Sequence, residues 1–132
     1  MYRTAPVNEY FRPALTVGEG EAEVEMVVRP DFFHAASAVH GTVYSKALDD
    51  ATFFAVNSLV TDVFVLTVSF NLYLTRPISE GTMRAKARVT HRSRQLFLAE
   101  GEVLDGEGRL IARGSGSFMR STIALSAEIG YG

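Results

Sequence analysis

The segment HGTVYSKALDD, residues 40–50, decides how this chain of 132 residues folds. A histidine and a glycine open a helix in which apolar side chains occur nearly all round the helical wheel, from Gly41 to about Leu59. That distribution is typical of a helix buried on most sides. The same helix carries two interior carboxylates, Asp49 and Asp50. Because an unpaired carboxylate costs several kcal/mol to desolvate, these acids predict either a pairing partner or chemistry at this position.

Alternating patterns predict strands on both sides of this helix. Residues 21–28 alternate acidic and apolar side chains, and Pro30 ends that strand. After the helix, residues 64–74 form a long strand with two different faces, and strict alternation places Thr67 on the polar face. The other face of that strand is apolar and carries Phe64, Leu66, Val68, Phe70, Leu72 and Leu74.

Three more strands follow at short spacing, at about residues 83–89, 95–104 and 109–119. The sequence DGEG at 105–108 predicts a tight turn between the last two. One strand, a buried helix and four further strands joined by tight turns predict an α+β architecture. In it, an antiparallel sheet packs one face on a single long helix.

Composition narrows the class of protein. The chain has 13 basic and 15 acidic residues and no cysteine. A net charge of −2 provides no global field for nucleic acid or an anionic membrane, so we expect neither as a partner. Without cysteine there is no disulfide framework and no thiolate metal site, which suits a reducing cytoplasm.

The organisation of the chain predicts one domain, residues 1–132, with a core at about 15–120 and loose ends. No internal repeat or linker-like segment divides it. The first residues lack the apolar core of a signal peptide, and no stretch approaches the roughly 20 apolar residues that span a bilayer. We therefore expect a soluble, cytoplasmic protein.

Several polar residues around the helix have a characteristic spacing. His34 lies six residues before the sequence HGT at 40–42, Asp49 follows His40 by nine residues, and Thr67 lies ten residues before Pro77. This spacing resembles the hotdog-fold acyl-CoA thioesterases of the PaaI-like (phenylacetic acid degradation) branch. In that family an Asn or Gln precedes a His-Gly-Gly by six positions, and an acid follows the histidine by nine.

The resemblance covers about residues 15–120 and includes the sequence YLTRP at 73–77, with Gly81. It implies the hotdog fold, in which an antiparallel sheet wraps around one long central helix. It also implies hydrolysis of acyl-CoA to free acid and CoA with neither metal nor organic cofactor. Family members form homodimers with the active sites at the subunit interface, usually assembled as two dimers in a tetramer.

Two positions differ from the family pattern and motivate other functions. His34 stands where an amide is usual, and Thr42 replaces the second glycine. The main rival function is a non-catalytic acyl-CoA-binding or regulatory module on the same fold, since fold alone does not separate the two. A third, weaker hypothesis is a hotdog dehydratase acting on acyl thioesters.

The residue types fit thioester hydrolysis. A thioester carbonyl under attack becomes an oxyanion, and free N–H groups at a helix N-terminus can bind it, so Gly41 is the candidate donor. A carboxylate must then take a proton from water or attack the carbonyl directly, and we assign that role to Asp49. Both mechanisms remain open at this point.

Spacing along the helix adds a prediction about assembly. Gly41 and Asp49 are eight residues apart, about 12 Å along a helix, whereas both must approach one carbonyl within about 3–3.5 Å. One chain cannot supply both groups to the same carbonyl. The oxyanion hole of one subunit would therefore face Asp49 and Thr67 of another, and the smallest active unit would be a dimer.

The other candidate residues have structural alternatives. Asp50 follows Lys46 by four residues, so a solvated ion pair explains it without a catalytic role. His40 can be a catalytic acid, but a histidine at a helix start more often fixes the turn by hydrogen bonding. His34 either polarises the thioester carbonyl or is an exposed loop residue. Thr67 either positions water or is present for its β-propensity.

Binding residues are predicted at two places. Arg92, Ser93 and Arg94 lie in a turn where relatives resemble a surface for the CoA phosphates, although an ordinary solvated hairpin explains them equally well. Phe53, one helical turn beyond Asp49, is the candidate wall of the acyl pocket. The preferred acyl group stays open between aromatic and medium-chain acids.

Overall fold

One long helix lies against one face of a six-stranded sheet in the computed structural model, which describes residues 5–124. All neighbouring strands are antiparallel, in the order β1-β2-β4-β5-β6-β3. This confirms the predicted α+β architecture. The elements are α1 (Val7–Phe11), β1 (Ala14–Gly18), β2 (Glu21–Val27), a 3-10 turn (Pro30–Phe32), α2 (Gly41–Asn57), β3 (Val63–Leu74), β4 (Thr82–Arg92), β5 (Leu96–Leu104) and β6 (Leu110–Ala124).

The central helix α2 is as buried as its sequence predicts. Within it, Thr42 alone is exposed, and the remaining residues are buried or half-buried. The helix ends at Asn57, two residues earlier than expected, and the following Ser58 accepts a hydrogen bond from the Gly20 N–H at 2.7 Å. The fully buried side chains of α2 form the centre of the core with the inner faces of β2 and β4.

Two glycines let α2 approach the sheet closely. Gly101 of β5 and Gly114 of β6 are directly paired, and the buried Leu48 side chain packs over both. A Cβ on Gly101 would lie 2.8 Å from the Lys86 carbonyl oxygen and 3.1 Å from the Leu48 side chain. The space under Leu48 is therefore available only to a residue without a side chain. Because Leu48 immediately precedes Asp49, this close packing also fixes the position of Asp49 relative to the sheet.

Substituting Gly101 by alanine is expected to lower the free energy of unfolding by about 1–3 kcal/mol, because overpacking of a full core forces backbone shifts. Urea unfolding monitored by circular dichroism measures this. Gly106→Ala is the matched control, since a Cβ there meets no atom closer than 3.8 Å. Equal unfolding midpoints for the two variants would show that the sheet absorbs the extra methyl group.

The strand β3 contains a bulge that the alternating pattern does not reveal. Thr67 pairs with Phe118 of β6, whereas Ser69 pairs with the next residue in β6, Ser117. Val68 is therefore an extra residue without its own partner. A bulge of this kind shifts the inward and outward alternation of the following residues by one position.

The prediction that one apolar face runs the whole length of β3 is therefore wrong. Before the bulge the inward residue is Val65, which is fully buried, while Leu66 and Val68 are 47% and 57% exposed. After the bulge Phe70 faces inward and packs against the core. Thr67 consequently lies on the same side of the sheet as Phe70, towards α2, rather than on the opposite face.

The N-terminal segment is more ordered than predicted. From residue 7 it forms α1 and β1, which no sequence pattern indicated, because α1 has five residues and β1 alternates weakly. Phe11 packs against the core, and the Tyr10 ring contacts that of Phe32 in a tilted arrangement, with 5.7 Å between the ring centroids. At the other end β6 continues to Ala124, and the rest of the predicted loose end lies outside the described residues.

Among residues 5–124, no helix is both long enough and apolar enough to cross a membrane.

Candidate active site

A carboxylate and a hydroxyl meet between α2 and β3. Thr67 Oγ1 donates a hydrogen bond to Asp49 Oδ1 at 3.2 Å. Asp49 is half-buried, and Thr67 is exposed although it faces the helix side of the sheet. The pair is therefore accessible to solvent where α2 and β3 lie side by side. The bulge at Val68 produces this contact because it places Thr67 and Phe70 on the same face of the sheet.

The carboxyl of Asp49 is harder to ionise than an ordinary aspartate. Burial raises its pKa, and the negative charge of Asp50 raises it further. The hydrogen bond from Thr67 and the charge of Lys46 act in the opposite direction without cancelling the effect. A carboxylate with a raised pKa accepts protons more readily than a solvated one, which is the property expected of a general base.

Asp50 forms the predicted ion pair with Lys46, at 2.6 Å between Oδ2 and Nζ. The pair is not a solvated one, because the two side chains are only 13% and 15% exposed. Phe11 from α1 contributes to this cover, with its ring centroid 5.7 Å from the Lys46 ammonium. Asp50 and Asp49 therefore have different environments despite their adjacency.

The N-terminus of α2 presents a free backbone donor. His40 caps the helix, and its Nδ1 accepts the Thr42 N–H at 3.1 Å. This hydrogen bond is the turn-fixing role that the sequence favoured for His40. Within residues 5–124 the N–H of Gly41 makes no hydrogen bond, and its partial positive charge faces outward from the helix start. That geometry suits an oxyanion donor.

His34 lies in the loop beside this helix start, with its ring centroid 6.4 Å from that of His40. Its Nδ1 accepts the Ala36 N–H at 3.0 Å. Because Nδ1 is an acceptor in both histidines, each neutral ring carries its proton on Nε2. His34 and His40 therefore both offer an Nε2–H donor from the segment that leads into α2.

The predicted catalytic residues thus form two groups at different points along α2. His34, His40 and Gly41 cluster at its N-terminus, while Asp49 and Thr67 lie about 12 Å further along. The strand β3 runs beside the helix in the opposite direction, with Leu74 next to Gly41 and Thr67 next to Asp49. The structure therefore does not bring the two groups together within one chain.

Aromatic rings cluster one helical turn beyond Asp49. Phe53 is one turn beyond Asp49, and its ring centroid lies 5.5 Å from that of Phe64 and 6.4 Å from that of Phe118. Phe53 is half-buried, so part of its ring is available to a ligand. The sequence did not single out Phe64, because its place near Phe53 depends on how β3 is paired and bulged.

The turn between β4 and β5 is exposed and distant from both groups. Ser93 Oγ donates to the Leu96 carbonyl at 2.9 Å, and Arg92, Ser93 and Arg94 are all exposed. Arg92 occupies the same row of the sheet as Thr67, three strands away, which corresponds to about 14 Å. The arginines do not contact Asp49 or Gly41 in the same chain.

Comparison with known proteins gives consistent results. The family described as "Thioesterase superfamily" matches residues 36–112. The Mycobacterium tuberculosis (strain ATCC 25618 / H37Rv) protein named "Putative esterase Rv1847" is 30% identical over 102 residues, covering 74% of this chain and 73% of that protein.

Solved structures share the fold. The structure of the E. coli PaaI protein, from the phenylacetic acid degradation operon, superposes with a TM-score of 0.87 at 21% identity, covering 96% of this chain and 91% of that one. A variant of the phenylacetic acid degradation protein PaaI from Thermus thermophilus gives a TM-score of 0.81 at 26% identity, covering 89% and 100%. The architecture is therefore the hotdog fold of the PaaI proteins.

Proposed function

The chain belongs to the thioesterase superfamily, and we propose that it hydrolyses acyl-CoA thioesters to a free acid and CoA. The observation that carries this proposal is the half-buried Asp49 carboxylate, hydrogen-bonded to the exposed Thr67 where α2 and β3 lie side by side. Such a group has a raised affinity for protons and access from solvent, as hydrolysis requires.

The chemistry follows from the two groups of residues. The N–H of Gly41, with the Nε2–H of His34, binds the thioester oxygen as it gains negative charge. Asp49 either takes a proton from an attacking water or attacks the carbonyl carbon itself, forming a mixed anhydride that water then cleaves. In both routes the carbon–sulfur bond breaks, and CoA leaves as a thiolate that takes up a proton. Thr67 positions the water or the carboxylate.

Because the two groups are separated along α2, the proposal requires a homodimer. A two-fold axis that brings Gly41 of one copy to Asp49 of the other also creates the reciprocal site. The axis then passes α2 midway between them, at Ser45, and the two helices run antiparallel. Ser45 is small and half-buried, so it allows close approach of the helices. Two such dimers would form the tetramer. For the location of the protein, we propose the cytoplasm.

The acyl group lies beyond the carbonyl, against Phe53. The T. thermophilus neighbour is named for phenylacetic acid degradation, so phenylacetyl-CoA is the first substrate to test, with benzoyl-CoA and straight-chain acyl-CoAs. Release of free CoA, followed with a thiol reagent, measures turnover. Turnover of any member supports the hydrolase. Saturable binding without turnover would instead identify a non-catalytic acyl-CoA-binding module, and hydration or dehydration products would identify a dehydratase.

The exposed turn of Arg92 and Arg94 is proposed to hold the CoA phosphates. Replacing both arginines with glutamine is expected to raise KM much more than it lowers kcat, because contacts to a remote phosphate are the same in the ground and transition states. Steady-state kinetics measure the two constants. Arg88→Gln, another exposed arginine of β4, is the control. A loss confined to kcat would remove the phosphate-binding role from this turn.

A further inference from the structure

Lys46 has two carboxylates within reach on its own helix. Asp49 is three residues further along and Asp50 four, and both spacings place side chains side by side on a helix surface. In the structure the ammonium of Lys46 is 2.6 Å from Asp50 Oδ2, while Asp49 bonds to Thr67 instead. Lys46 can therefore form an ion pair with either of two carboxylates on this helix.

We propose that Asp50 is a positioning residue for the reaction, which holds the Lys46 ammonium on one side of α2 so that the Asp49 carboxylate keeps its bond to Thr67 and stays available to the substrate. This inference rests on the proposed function. Asp50 does not touch the reacting atoms in this account. It acts by engaging the cation that would otherwise pair with Asp49.

The burial of the Lys46 ammonium is the physical basis of this role. The Lys46 side chain is 15% exposed and its ammonium lies against the ring of Phe11. A desolvated ammonium is costly without a counter-charge nearby, so it will pair with an available carboxylate. If Asp50 were neutral, Asp49 would be the next carboxylate of α2 within its reach. An ion pair there would favour the charged form of Asp49 and compete with Thr67 for its oxygens.

Among residues 5–124, few other charges act on Asp49. From α2 it is faced by Lys46 and Asp50, and from β3 by the neutral hydroxyl of Thr67. Tyr73 is the only titratable residue in β3. In the proposed dimer His34 and His40 of the other copy also approach, and the same histidines are present in every variant below. Differences among the variants therefore report the effect of Lys46 and Asp50 on the titration of Asp49.

The test is a carboxyl ¹³C NMR titration of Asp49, assigned by comparison with Asp49→Asn. In Asp50→Asn the titration midpoint of Asp49 is expected to fall by about 1 unit or more, as for a carboxylate that gains a cationic neighbour. In the double variant Asp50→Asn with Lys46→Met most of that fall is reversed, because the cation is gone. Asp50→Glu, which keeps the ion pair, leaves the midpoint near that of the wild type.

Two results would overturn the proposal. One is an Asp49 midpoint that does not move in Asp50→Asn. The other is an equal fall in Asp50→Asn and in the double variant, which would mean that only the lost repulsion of Asp50 matters. If Asp50→Asn does not fold, Lys46→Met is compared in the Asp50 and Asp50→Glu backgrounds. Because Lys46 lowers the pKa of Asp49 only from a distance there, a small rise of the Asp49 midpoint is expected. A rise of about 1 unit or more in both backgrounds would mean that Lys46 already pairs with Asp49, and would contradict the held-ammonium arrangement.

The readout keeps this inference separate from the proposed function. The titration needs no substrate, so the expected midpoints together with absent CoA release would refute the hydrolase but not the pairing. In an active enzyme, kcat is expected to fall in Asp50→Asn and to recover in the double variant. A structural role alone would lower stability in both variants without that recovery.

Discussion

Asp49→Asn is expected to lower kcat for acyl-CoA hydrolysis by about a hundredfold or more, the range for loss of a general base. Asparagine keeps the size of the side chain and an oxygen that accepts the Thr67 hydroxyl, but it cannot take a proton or attack a carbonyl. CoA release by wild type and variant at matched concentration measures the effect. Asp62→Asn serves as the control, since Asp62 is exposed and pairs with Arg120 at 2.6 Å.

A measurement of thermal stability distinguishes the loss of the catalytic carboxylate from unfolding of the variant. The pKa of Asp49 in the folded protein is raised by burial, so the ionised carboxylate costs stability at pH 7, and that cost disappears as the pH falls below the unfolded-state pKa. Asp49→Asn should thus unfold at an equal or higher temperature than the wild type at pH 7. A folded variant with full activity would remove Asp49 from the mechanism.

The same shift fixes the direction of the pH dependence. If the carboxylate form of Asp49 is required, activity falls as the pH drops through its pKa, which lies above the usual aspartate value of about 3.9. A profile of kcat against pH for the wild type measures the acid limb. An acid limb at or below that usual value would mean that another group limits the reaction.

Gly41→Pro is expected to lower kcat by about 10²–10³-fold, the effect of losing one oxyanion donor. Proline lacks the N–H but fits the first position of a helix, and the extended backbone of His40 (φ −64°, ψ 145°) suits a residue before proline. Gly41→Ala is the matched control because it keeps the N–H, with a Cβ 3.2 Å from the flexible end of Leu74. Equal activity of the two variants would remove the Gly41 N–H from the site.

Mixing the two inactive proteins tests the shared site. After refolding together, Asp49→Asn and Gly41→Pro should recover about a quarter of wild-type activity, because half of the randomly formed dimers are mixed and each contains one intact site. Unmixed samples of each variant are the controls. If mixed dimers form but show no recovery, Gly41 and Asp49 do not act across the interface.

Most of the fold was accessible from the sequence because its patterns are strong. The helix from Gly41 is identified by the length of its apolar segment and by apolar side chains on most sides, and β4 by its uninterrupted alternation from Met83 to Ala87. The strand β3 was predicted in the right place but with the wrong facing. A single extra residue, Val68, exchanges the two faces, and hydropathy carries no signal for it because Val68 is itself apolar.

The sequence identified the residues of the site but not the contacts and burial around them. Spacing identified Asp49 and Thr67, whereas their contact depends on the bulge. The pair of Lys46 and Asp50 was predicted from its spacing, but its burial depends partly on Phe11 in α1. A helix of five residues gives too little periodicity to be recognised, so a long-range contact of this kind requires the tertiary structure.

The bulge in β3 also bears on which chains can pair with the edge of the sheet. Since β3 lies at one edge of the sheet, its outer backbone groups are a template for any extended chain. Val68 divides that edge into two short stretches that are out of phase by one residue. A regular strand from another protein can match one stretch but not both in the same register. The residue that turns Thr67 towards the helix therefore also restricts which chains can extend the sheet.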